Sequence, residues 1–236
     1  MYYLDKLIMF FYIKMNDTRI ITQKNELLFN INLLVVVVSC KKNSELWPKI
    51  INRKIDNFII LCGGSETTKL EDNILYLKCS DEYDGLSEKM LKAFDFIINS
   101  EKFSSITHIL KADDHDTEYN NIQIKNIVIK YNNILLSHDY IGQQNIPGLL
   151  NGKYHFGKVS QTSKWYNKPL TIVKKILFLG GGQTYILSRK SLYFINKHLT
   201  EYDNYGSYED VMMAVILRQY NIYPYTLNYG IKFWPG

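Results

Sequence analysis

Asp113, Asp114, His115 and Asp116 follow an apolar run from Ile106 to Ala112 within the segment ITHILKADDHDTEY. Neighbouring carboxylates repel one another, so a chain that places three in one loop gains from a cation beside them. Mg²⁺ and Mn²⁺ take hard oxygen ligands and often complete their shells with substrate phosphates. An Asp-x-Asp at a strand end therefore suggests a metal and nucleotide site. Taken alone, the same residues are equally a solvated acidic turn. A second carboxylate pair, Glu209 and Asp210, follows Ser207 and Tyr208 at the head of a helical pattern. Serine with an acid three residues later resembles a capping box. A carboxylate there that faces a cleft is also suited to be a general base for a hydroxyl.

Other constellations carry less. The run Gly180-Gly181-Gly182 lacks the Lys-Ser/Thr of a phosphate-binding loop, so a turn that lets backbone approach a sugar or a strand fits it better. Lys164-Trp165-Tyr166 offers an aromatic platform for a sugar, although aromatics usually fill cores. The five histidines are scattered, with only His115 among carboxylates and no zinc-hydrolase pairing. Cys40, Cys62 and Cys79 stand at the ends of apolar runs without metal-ligand spacing, which suits reduced, packed thiols.

The surrounding pattern predicts the elements that position these residues. Leu33 to Ser39 is a β-branched run of the kind buried on both faces of a sheet. It is followed by a polar loop at Cys40 to Asn43 and a helix around Glu45 to Arg53. Strands are predicted at Phe58 to Cys62, at Ile74 to Lys78 and at Ile106 to Ala112, the last carrying the acidic loop. Helical stripes run through Met90, Leu91, Phe94, Ile97 and Ile98, and through Val211, Met212, Val215 and Ile216. A further helix is predicted from Lys190 to Leu199. Strands alternating with helices predict a mostly parallel sheet covered on both faces, whose ligands gather beyond the carboxyl ends of the strands. The segment from Tyr119 to Gly152 gives no clear assignment.

Composition sets the bounds. With 236 residues, 46% hydrophobic and 22% charged, the chain has the size and balance of a globular α/β domain. A net charge of +5 fits a basic cleft for nucleotide phosphates as well as weak nucleic-acid affinity. The apolar N-terminal stretch is interrupted by Asp5, Lys6 and Lys14, too short to span a bilayer, and lacks a signal-peptide pattern. The expected organisation is an N-terminal extension over 1–32 and one domain over 33–236.

Five segments, in this order, resemble the β1,3-galactosyltransferase and fringe-like glycosyltransferase family. They are Ser80 to Lys89, similar to the family's Asp-x-Tyr-x-Asn-Leu-Thr-x-Lys; Lys111 to Asp116; Lys164-Trp165-Tyr166; Gly180 to Ser188; and Tyr208-Glu209-Asp210-Val211. The resemblance spans about residues 33 to 225 and implies a GT-A fold. It also implies an inverting transferase that moves galactose or an N-acetylhexosamine from a UDP-sugar to a hydroxyl of a glycan, lipid or protein. It implies Mn²⁺ or Mg²⁺ held by Asp114 and Asp116, with Asp113 and His115 as the alternative pair. The hard oxygens of the first pair suit the ion better.

By the same resemblance, Asp210 or else Glu209 is the base. Ser39, Lys89, Asp113, Asp114, Gly181 and Gly182 flank the donor, and Trp165 and Tyr166 flank the acceptor. Lys89 reaches a phosphate or braces the acidic loop. Nucleic-acid partners and a transmembrane segment are not expected. Three departures from the family stand out: His115 interrupts the acidic triplet, no histidine follows His198, and anchor and cysteine signals are weak. The last, with a composition suggestive of an AT-rich genome, points to a cytoplasmic viral or microbial member, in host cytoplasm if viral. A catalytically silent sugar or nucleotide-sugar binding module of the same fold is the alternative reading.

Overall fold

The computed structural model describes residues 31–115, 119–142, 158–166, 168, 176–180 and 184–227. Its centre is an eight-stranded sheet. In chain order the strands are β1 (Leu33–Val38), β2 (Phe58–Cys62), β3 (Lys69–Glu71), β4 (Ile74–Tyr76), β5 (His108–Asp113), β6 (Tyr140–Gly142), β7 (Tyr185–Ser188) and β8 (Tyr225–Thr226). Across the sheet they run β3-β4-β2-β1-β5-β7-β6-β8. β1, β2, β4 and β5 are mutually parallel, while β3 and β7 run against their neighbours. This is the mostly parallel, helix-flanked sheet that the alternation of strands and helices predicts.

β1 shows why this sheet is central. Its side chains alternate between faces, and all six are buried: Leu34, Val36 and Val38 on one side, Leu33, Val35 and Val37 on the other. The first face is covered by α2 (Leu86–Asn99), α4 (Arg189–Ile195) and α5 (Glu209–Arg218), through Phe94, Leu192, Met212 and their neighbours. The second is covered by α1 (Trp47–Ile51) and α3 (Asn121–Ser137), through Trp47, Ile50, Ile124, Tyr131 and Leu135. Each fully buried aliphatic side chain contributes about 1.5–3 kcal/mol.

Several boundaries differ from the sequence-based expectation. The stretch after β1 begins as a 3-10 helix over Lys41–Leu46 before α1. Ile74 pairs back to Glu71 in a short β3–β4 hairpin that three mixed residues did not announce. The unassigned middle segment contains α3, opened by a capping box in which Asn120 Oδ1 accepts from Gln123 N and Gln123 Oε1 accepts from Asn120 N. The capping box expected at Ser207 does not form. α5 starts one residue beyond Tyr208, which lacks a side-chain cap bond, and Asp210 Oδ1 accepts from Val211 N.

Residues 1–30 lie outside the described residues, as does most of the expected extension; β1 opens at Leu33. Among the described residues no helix is long and apolar enough to cross a membrane.

Candidate active site

Because β1, β2, β4 and β5 point the same way, the loops that follow them converge at one end of the sheet. The chain leaves β1 for β2 on one side and later returns to β5 on the other, so a topological switch point lies between β1 and β5. Register places Val38 opposite Asp113 at that edge. Ser39 and Asp114, the next residue on each strand, meet directly: Ser39 Oγ donates to Asp114 Oδ2 at 2.7 Å. Asn43 Nδ2 donates to the same oxygen at 2.9 Å, and Trp47 Nε1 donates to Ser39 Oγ at 2.8 Å. Asp114 is thereby held buried, with exposed His115 3.4 Å from its Oδ1.

Lys89 braces the loop after β1. Its buried ammonium donates to Ser39 O at 2.8 Å and to Asp81 Oδ1 at 2.7 Å. Asp81 also accepts from Gly63 N and Lys41 N, so one carboxylate knits together the loops after β1 and β2. At Gly63 the approach is close enough that a Cβ would lie 2.6 Å from Ser80 O. Among the described residues the Lys89 bonds go to the loop after β1 and to Asp81 rather than to the acidic loop itself.

The second carboxylate group forms where β5 meets the first turn of α5. Lys111 Nζ donates to Asp113 Oδ1 at 2.6 Å and lies 3.4 Å from Glu209 Oε1. Tyr185 OH donates to Glu209 Oε2 at 2.9 Å. Burial pushes the Glu209 carboxyl up to about 7, with Lys111 pulling against it and Asp210 and Asp113 adding to the rise. Burial also works against the charge of Lys111, but Asp113 and Glu209 outweigh it and hold the ammonium above the usual lysine range. Glu209 is 1% exposed, whereas Asp210, the next residue, is half-buried and stands in the positive first turn of the helix.

Trp165 comes to the same helix from another direction. Gly206, at φ +56, lies so close beneath the indole that a Cβ would fall 2.6 Å from the ring. Only glycine suits both that backbone conformation and that contact. The ring lines a cleft of about 180 Å³ with Ser80, Asp84, Glu88, Lys164 and Asp203. Lys164 pairs with Asp203 at 2.7 Å, and Ser163 bonds Asp84. Tyr166 is exposed beside it.

The structure therefore gathers Ser39, Lys89 and Asp114 in one network, and Asp113 and Glu209 in a second with Asp210 alongside. Trp165 sits against the loop before α5. Asp116, Gly181 and Gly182 lie outside the described residues. Asn43, Trp47, Asp81, Lys111 and Tyr185 join the site without having been assigned a role from the sequence. For Lys111 a signal existed, because a lysine inside the apolar run Ile106 to Ala112 must find a carboxylate.

The galactosyltransferase family model matches residues 62–228. No curated protein matches the chain in sequence. Among solved structures the chain is similar to a 4-diphosphocytidyl-2C-methyl-D-erythritol synthase from Anaerococcus prevotii. The TM-score is 0.43 and the identity 9%, covering 86% of this chain and 90% of that one. It is also similar to a cytidylyltransferase from Leptospira borgpetersenii, with TM-score 0.41 and 9% identity over 84% and 77% of the two chains. With the family match extending over most of its length, the chain belongs to the galactosyltransferase family and is a glycosyltransferase.

Proposed function

We propose that the protein is a metal-dependent, inverting transferase that moves galactose or an N-acetylhexosamine from a UDP-sugar to a hydroxyl acceptor. The observation that carries this reading is the pair of carboxylate groups at one end of the sheet. Asp114 is clamped at the switch point by Ser39 and Asn43, and Asp210 stands half-buried at the head of α5. In this reading Asp114 serves the donor and Asp210 the acceptor.

The donor set fits Mn²⁺ or Mg²⁺. Asp114 is a carboxylate held in place, and Asp116 supplies a second hard oxygen donor two residues on. Water and the diphosphate would complete the shell around these two. When bound, the cation supplies positive charge to the departing diphosphate.

The protein's own residues do the rest. Ser39 and Asn43 fix the Asp114 carboxylate, and Lys89 and Asp81 fix the backbone that carries Ser39. Trp165 and Tyr166 present aromatic faces for the acceptor sugar. Asp210 accepts the acceptor hydroxyl proton as that oxygen bonds to the anomeric carbon and the bond to the diphosphate breaks on the opposite face. Glu209 is fully buried and enclosed by Lys111 and Tyr185, which favours Asp210 as the base.

Thermal shifts with a panel of UDP- and GDP-sugars, each with Mn²⁺, Mg²⁺ or EDTA, test the reading. Stabilisation by one UDP-sugar that needs the metal and is lost in Asp116→Asn is expected. No shift with any donor overturns it. A metal-dependent shift without transfer to any acceptor supports the silent binding module instead.

A further inference from the structure

On the reading above, the donor rests against the loop after β5 and the base projects from the first turn of α5. One buried ammonium touches both. Lys111 is 1% exposed and lies on the face of β5 covered by helices. Its Nζ is 2.6 Å from Asp113 Oδ1, 3.4 Å from Glu209 Oε1 and 5.7 Å from the centroid of the Tyr185 ring. Tyr185 pairs with Lys111 across β5 and β7 and donates to the other oxygen of Glu209. Glu209 Oε1 itself accepts no hydrogen bond among the described residues, so Lys111 is the cation that compensates it.

A charge pair this deep is a poor source of stability, because well-packed apolar residues of the same volume commonly do as well or better. What an ion pair supplies, and a pair of methionines does not, is a fixed relation between the two segments that carry the charges. We propose that Lys111 is a positioning residue of the transfer reaction: it ties Asp113 of the donor loop to Glu209, and so fixes the turn of α5 from which Asp210 reaches the acceptor. The inference rests on the reading of Asp210 as base and of the β5 loop as the donor side. The compact ammonium matters as well as its charge, since a guanidinium is larger and directs its donors in a planar fork.

The test compares wild type, Lys111→Met/Glu209→Gln and Lys111→Arg in UDP release from UDP-galactose with Mn²⁺ and a panel of free sugars as acceptors. The double variant removes the two fully buried charges at once and leaves only the partly exposed Asp113 without its cation. It is expected to melt within a few degrees of wild type, to keep its KM for UDP-galactose within about threefold, and to lose kcat by about 100-fold. Lys111→Arg, which keeps the charge if the double variant does not fold, is expected to lose kcat by about tenfold with little change in KM. A folded double variant, or a folded Lys111→Arg, with kcat within about threefold of wild type overturns the positioning role and leaves the transferase reading intact. Failure of the wild-type protein to release UDP in every mixture, with UDP-galactose and with UDP-N-acetylglucosamine and UDP-N-acetylgalactosamine in its place, overturns that reading, and the inference with it.

Discussion

Ser39 and Asp114 each stand one residue beyond a strand, β1 and β5, and a 2.7 Å hydrogen bond joins them across the switch point of the sheet. The donor is a hydroxyl and the acceptor a carboxylate, so the bond is charge-assisted and worth about 1.5–3 kcal/mol. Ser39→Ala also strands the indole N–H of Trp47. We predict that Ser39→Ala weakens metal-dependent UDP binding by about tenfold, measured by titration calorimetry. An unchanged affinity would show that Asp114 keeps its place without Ser39.

Lys89 separates a structural brace from a phosphate ligand. Removing one partner of a buried ion pair leaves the other uncompensated, which costs about 3–5 kcal/mol. Lys89→Met would leave Asp81 in that state, although Gly63 N and Lys41 N still donate to it. We expect urea unfolding to show a loss toward the lower end of that range, with loosened loops after β1 and β2. Full stability together with a large fall in donor affinity would instead assign the lysine to the donor phosphates.

Glu209 gives the protein a pH signature. Its carboxyl rises from 4.5 to about 7 on folding, and the groups facing it are Lys111, Asp113, Asp210 and the hydroxyl of Tyr185. The folded state therefore holds a proton that the unfolded chain releases earlier. This contribution is fully present below about pH 4.5 and is lost as pH rises through about 7. Between pH 5 and 7.5, wild type is predicted to lose more stability than Glu209→Gln, by about 2 kcal/mol. Parallel pH dependences in urea unfolding would refute this.

Gly206 and Trp165 test the acceptor side. Gly206→Ala places a methyl group into the indole at a backbone conformation that alanine disfavours. Both Gly206→Ala and Trp165→Ala are predicted to raise acceptor KM by about tenfold or more while donor affinity changes little, because neither residue belongs to the Ser39–Asp114 network. Equal losses for donor and acceptor would mean that the indole only supports the fold.

Much of this was legible in the sequence because it is local. Continuous β-branched runs announce β1 and β2, and the apolar stripe of α2 is regular. The acidic loop sits at the end of β5, as its apolar run predicts. α3 was harder to read because Ile122, Ile129 and Leu136 are apolar yet exposed, which blurs its buried stripe. The connections within the site were not legible because they are contacts distant in sequence. Lys111 meets Glu209 from another element, and Asp81 binds backbone amides that no side-chain pattern records. Helix-start chemistry at Ser207 misled because Tyr208, with ψ 57, sets the entry to α5 without a side-chain cap.

The most direct test of the account is Asp210→Asn, with donor binding and sugar transfer measured on the same preparation. Asparagine keeps the size of the side chain and removes its basicity. The account predicts metal-dependent UDP-sugar affinity within about threefold of wild type and transfer reduced by at least about 100-fold. Transfer at the wild-type rate would contradict Asp210 as the base. A loss of folding without a specific loss of turnover would assign the carboxylate to the helix N-terminus alone.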